Sequence, residues 1–143
     1  MKADLIRAKE IFSSGGYTCV LCRGEKIYTS RERGVKPLIM WIESDVDLKG
    51  FSAADKIVGK GAAMLYKILG VTEVYSEVMS ESAVEVCTQY DIECHSGEIV
   101  KEIRNRQNTG NCPMENAVRD INTPQKAYEA IKQTMLRLAG INK

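Results

Sequence analysis

Two stretches of this 143-residue chain carry side chains able to do chemistry. The first, "FSAADKIVGKGAAMLYKILG" (51–70), sets a carboxylate beside an amine at Asp55 and Lys56, then continues through Gly59, Lys60 and Gly61. The second, "IRNRQNTGNCPMEN" (103–116), strings together Asn105, Arg106, Cys112 and Glu115. A planar guanidinium before a polar loop and a helix start suits the oxygens of a phosphate. A thiol at a helix N-terminus near arginine has reason to ionise and act as a nucleophile. Glu115 and Asp55 could serve as acid and base.

Each feature has a plainer use. Read as one helix over 53–69, the first stretch makes Ser52 the N-cap, with Asp55 three residues on in a capping-box position. Lys56, Lys60 and Lys67 then fall at the spacing of a solvated face. Two glycines inside a helix cost about 0.5–1 kcal/mol each relative to alanine, so both require a reason. Gly61 falls on the apolar stripe formed by Ala53, Ala54, Ile57, Val58, Leu65 and Ile68, which suits a close approach to the sheet. Gly59 falls outside that stripe and clears space beside the first turn for a neighbouring loop or a bound group. Gly50 is followed by "FSAADK", so no P-loop is present. Cys112 and Glu115 could likewise be a buried thiol and a carboxylate closing a helix start.

The elements that must position these residues follow from pattern and punctuation. Residues 2–13 read as a helix, 17–22 and 25–30 as a hairpin, and 36–43 as a short helix. "VTEVYSEV" reads as a strand, "SESAVEVCTQY" as a helix opened by Ser80 or Ser82, and "DIECHSGEIVKEI" as one or two further strands. "CPMENAVRD" has Pro113 in a first-turn position, while "TPQKAYEAIKQTMLRLAG" has Thr123 as N-cap, Pro124 next and Gly140 as its stop. This order predicts a single three-layer α/β/α domain over 1–143, with a mixed sheet of about five strands.

Composition narrows the function. The net charge is only +1, with acids and bases interspersed, which argues against general nucleic-acid binding. No apolar run is long enough for a membrane span, and "MKADLIRAKEIF" does not resemble a signal peptide, so a cytoplasmic location is expected. Five cysteines fit reduced thiols better than a disulfide framework. Cys19 and Cys22 form a C-x-x-C, but on a strand their side chains point to opposite faces and cannot grip one metal.

The stretches "ADKIVGKGAAML" and "NRQNTGNCPMENAV", with "YTCVLCRGEKIYTS" and "RGVKPL" before them, resemble the family called domain of unknown function 1893 over nearly the whole chain. That resemblance implies a cytidine deaminase-like fold, with a ligand pocket at the start of the helix after the hairpin. It matches the family's motif at Asn105, Arg106, Cys112, Pro113, Met114 and Glu115. True deaminases place His or Cys, one residue, then Glu at that helix start, and Pro-Cys-x-x-Cys at the next. Here those positions read "SAADKIV" and "SEVMSESAVEV", without a thiolate or imidazole, and His95 is the chain's one histidine. No metal or other cofactor is expected.

The resulting expectation is a module that binds a nucleotide or related phosphorylated small molecule through Lys56, Gly59, Lys60, Asn105 and Arg106. The alternative is an enzyme acting on such a compound without zinc, using Cys112 as nucleophile or Asp55 and Glu115 as base and acid. A scaffold that binds other proteins is a third reading. The fold is compatible with a homodimer.

Overall fold

The computed structural model describes residues 2–104 and 112–140. The elements are α1 (Ala3–Gly15), β1 (Cys19–Arg23), β2 (Lys26–Ser30), α2 (Lys36–Glu43), β3 (Ser52–Val58), α3 (Lys60–Leu69), β4 (Glu73–Ser80), α4 (Glu81–Gln89), β5 (Glu93–Val100), α5 (Pro113–Val118) and α6 (Pro124–Leu138). They form a mixed sheet of five strands in the order β2-β1-β3-β4-β5, flanked by helices. β1 is antiparallel to both neighbours, whereas β3, β4 and β5 run parallel, joined by α3 and α4.

The helix expected over 53–69 is corrected. Residues 52–58 are the central strand of the sheet, and the helix begins only at Lys60. Ser52 is therefore no N-cap, and Asp55 and Lys56 lie on a strand. Alanine favours helix by only a fraction of a kcal/mol per residue over ordinary residues, less than the two hydrogen-bonded ladders β3 makes with β1 and β4. Small side chains also suit a strand covered on both faces. Ala53 belongs to the main core on the α3 side, and Ala54 to the smaller cluster with Ala8 and Phe12 of α1.

α1 packs chiefly against β1 and β3. Its Leu5, Ala8 and Phe12 recur every three to four residues and are buried. On the other face α3 is the hub, touching α2, α4, α5 and α6. Its residues 61–66 are buried without interruption, as a helix enclosed on every side requires. Gly61 serves α6 rather than the sheet: a methyl there would meet Ile131 Cδ1 at 3.0 Å.

The remaining helix signals act as the sequence indicates. Ser80 Oγ accepts from the Ala83 N–H at 3.1 Å and opens α4. Thr123 Oγ1 accepts from the Lys126 N–H at 3.4 Å and opens α6. Cys19 and Cys22 do face opposite layers, one in each apolar cluster. Among the described residues no helix is long and apolar enough to cross a membrane.

α3 ends at Gly70, whose φ of +83° is left-handed and whose Cβ would come within 3.0 Å of the Lys49 backbone. Both strain and contact oppose a side chain there. Gly70→Ala is expected to lower stability by about 1–2 kcal/mol, read as a lower urea midpoint at unchanged slope.

Candidate functional site

The turn from β3 into α3 decides the geometry of the site. Gly59 is the N-cap, with extended backbone and no capping side chain of its own. The cap comes from α5. Glu115 Oε1 accepts from the Lys60 N–H at 2.7 Å, and Oε2 accepts from the Gly61 N–H at 3.0 Å. A carboxylate is the favoured partner for these open backbone donors at the positive end of the helix dipole. Gly59 makes room for it, because an added Cβ would lie 2.4 Å from the Glu115 carboxylate. The space foreseen beside the first turn thus holds a side chain of the protein. Lys60 adds a second tie, its Nζ donating to the Arg119 carbonyl at 2.9 Å.

Beside this junction lies a cleft of about 590 Å³. It sits where the parallel strands end and their helices begin, the usual crevice for a ligand in such sheets. Lys60, Glu115 and Arg119 line one side, Ser82 and Gln89 of α4 another, and Lys101 follows β5. Met64 and Val86 supply apolar lining. Glu85 and Glu102 offset part of the positive charge. A second cleft, of about 520 Å³ at the opposite strand ends, is lined by Arg23, Lys49 and Lys67. Arg23 donates to the Lys49 carbonyl at 2.6 Å, and Lys67 lies 5.6 Å from the Tyr90 ring centre.

Of the residues singled out from sequence, Lys60 and Glu115 meet in the first cleft, with Gly59 behind them. Lys56 is exposed on β3 and does not line it. Asn105 and Arg106 lie outside the described residues. Cys112 is half-buried at the N-cap of the six-residue α5, its backbone N–H donating to the Ile103 carbonyl at 3.0 Å. Ser82, Gln89, Lys101 and Arg119 were not foreseen. Only the parallel order of β3, β4 and β5, which places α4 and the end of β5 next to α3, could have pointed to them.

Asp55 is instead an internal group. It is 7% exposed, and its Oδ2 accepts from the Tyr66 hydroxyl at 2.6 Å, while Oδ1 accepts from the Lys56 N–H at 2.7 Å. Cys19, opposite Asp55 in the β1–β3 register, has its Sγ 3.3 Å from the Tyr66 oxygen. Burial pushes the Asp55 carboxyl up to about 7, against the opposing pull of the hydrogen bonds. Burial and the Asp55 charge also raise the Tyr66 hydroxyl and Cys19 thiol, which keeps both protonated. With Asp55 ionised, Tyr66 donates to it and the thiol donates to Tyr66.

The family model described as "Domain of unknown function (DUF1893)" matches residues 7–135. The chain belongs to the DUF1893 family. A solved structure of a DUF1893 family protein from Thermotoga maritima is similar at a TM-score of 0.82, covering 96% of this chain and 92% of that one at 23% identity. At that identity the likeness shows the shared fold. None of the curated proteins compared with the chain matches it. This DUF1893 domain therefore has an assigned architecture, while its chemistry rests on its own residues.

Two outcomes test the junction. Glu115→Ala and Gly59→Ala should each cost about 1–2 kcal/mol, and the pair should cost clearly less than the sum, because either change removes the same cap. Urea unfolding of the double-mutant cycle checks this, and strict additivity would show that the cap is not shared.

For Asp55 the folded value of about 7 lies above the ordinary 3.8, so the folded state holds the proton more tightly. Its contribution is complete below pH 3.8 and is lost as pH rises toward and through 7. Relative to Asp55→Asn, the wild type should lose up to about 4 kcal/mol of stability from acid to pH 8. Parallel stability curves for the two proteins would refute the shift.

Proposed function

We propose that the domain is a small-molecule-binding module which takes a nucleotide or related phosphorylated compound in the cleft beside the β3–α3 junction. The reading retains a cytidine deaminase-like frame without the zinc motif. Its chief support is one observation: a cleft of about 590 Å³ at the ends of the parallel strands combines Lys60, Lys101 and Arg119 with an apolar patch from Met64 and Val86. That volume lies within the range of ordinary ligand pockets, roughly 300–1,000 Å³. The mixture suits a flat apolar group carrying anionic substituents.

The first turn of α3 does not receive the phosphate in this reading. Its Lys60 and Gly61 amides already bond Glu115, and a second anion there would face that carboxylate. Lys101 after β5, and the side chain of Arg119, are the better partners. Binding is favoured over acid–base catalysis because Glu115 is committed to the cap and Asp55 to Tyr66.

Calorimetric titration with a panel of nucleosides, nucleotides and sugar phosphates tests the proposal. A charge-assisted hydrogen bond contributes about 1.5–3 kcal/mol, so Lys101→Ala and Arg119→Ala should each weaken the best ligand tenfold or more. Lys26→Ala, on the exposed edge strand β2, should leave it unchanged. Loss confined to Lys56→Ala would move the site to β3, and no heat with any compound at millimolar concentration would end the proposal.

A further inference from the structure

At the opposite end of the parallel strands, three further side chains converge. Glu73 opens β4 and stands directly opposite Glu93, which opens β5. His95 lies two residues beyond Glu93, so the alternation of a strand puts it on the same face. His95 Nε2 is 3.3 Å from Glu73 Oε2 and 3.2 Å from Glu93 Oε2. One ligand atom from each residue lies within 4.8 Å of the other two.

Burial supplies a second observation. Glu73 is 0% exposed, yet the ion-pair partner found for it among the described residues is His95. Its bonds from the Lys2 N–H and Ser52 Oγ are long, 3.4 and 3.5 Å, and burial together with the neighbouring Glu93 carboxyl pushes its pKa up. A carboxyl removed from water either keeps its proton or needs compensating positive charge. A single imidazole nitrogen carries at most one hydrogen, which cannot point well at two carboxylates together. A cation among the three groups would satisfy both acids and leave Nε2 free to act as a ligand.

We propose that Glu73, Glu93 and His95 form a site for one divalent first-row transition ion. Two carboxylate oxygens and one imidazole nitrogen suit zinc or manganese. Bonds of about 2.0–2.2 Å to one tetrahedral or octahedral ion place adjacent donors roughly 3–3.5 Å apart. The 3.2 and 3.3 Å separations already match. Ser52 Oγ holds the other oxygen, Oε1, from behind, as outer partners do at metal centres, while the Lys2 N–H shares Oε2. Glu93 is exposed and His95 partly so, which gives an ion a route from solvent. Three protein donors leave the remaining positions to water. This site is separate from the deaminase zinc position, whose motif the sequence lacks, and uses no cysteine.

The single histidine makes the test direct. Its imidazole Hε1 is one resolved proton-NMR signal, followed while the intact protein is titrated with zinc chloride near pH 7. The signal should shift and saturate at one equivalent, broaden with manganese and ignore magnesium. Glu93→Gln and Glu73→Gln should each weaken zinc about tenfold or more. Because Glu93 is exposed, its variant remains informative if Glu73→Gln does not fold. Cobalt should bind without a thiolate charge-transfer band, and Cys94→Ser should keep the affinity. A signal unmoved by excess zinc, an equal affinity in Glu93→Gln, or a cobalt–thiolate band would overturn the proposal.

Discussion

The carboxylate of Glu115 on the first turn of α3 is the interaction on which the cleft depends. α3 is the helix that every other helix on its face touches, so whatever fixes its start fixes the layer. Glu115 reaches that start from more than fifty residues along the chain and satisfies two backbone donors at once. Leaving those donors dry and unpaired would cost about 1–3 kcal/mol each. The same contact dictates Gly59, since a methyl there would collide with the carboxylate. One ion-to-backbone contact thereby joins α5 to the strand–helix turn and closes one wall of the cleft.

Local grammar made most of the fold legible. Thr123 before Pro124, Ser80 before an amphipathic run, and Gly140 at a stop are signals whose physics is confined to a few residues. The strand at 52–58 was hidden because its preference is not local. Alanines and a lysine spacing of four imitate a helix, while the ladders that make the segment a strand come from β1 and β4. The hairpin and β4 could be read from their own residues. β3 depends on being the middle strand, which sequence order alone does not declare.

The same limit governs the site. Lys60 and Glu115 were legible as chemically capable residues, but not as partners, because helix capping across 55 residues leaves no spacing to detect. Asp55 was legible as an acid and misplaced as a helix opener. Its surroundings depend on register: Cys19 stands opposite it on β1, and Tyr66 returns over it from α3. A carboxyl accepting a phenol hydrogen bond within a closed layer behaves differently from one on a solvated first turn, although the neighbouring sequence is identical.

The two ends of the parallel strands carry opposite chemical problems, and this explains their different contents. Where the strands end, helix N-termini point at the crevice with positive partial charge, and the chain supplies Glu115 to the α3 terminus before any ligand arrives. In the proposed reading an incoming anion is therefore left to Lys101 and to the basic groups around the cap. Where the strands begin, β4 and β5 bring two carboxylates side by side in register, with one imidazole nitrogen between them. There two acids share one imidazole nitrogen. A sheet whose neighbouring strands run in the same direction keeps the two demands at opposite ends, so an anion and a cation could be held by one domain without competing for the same groups.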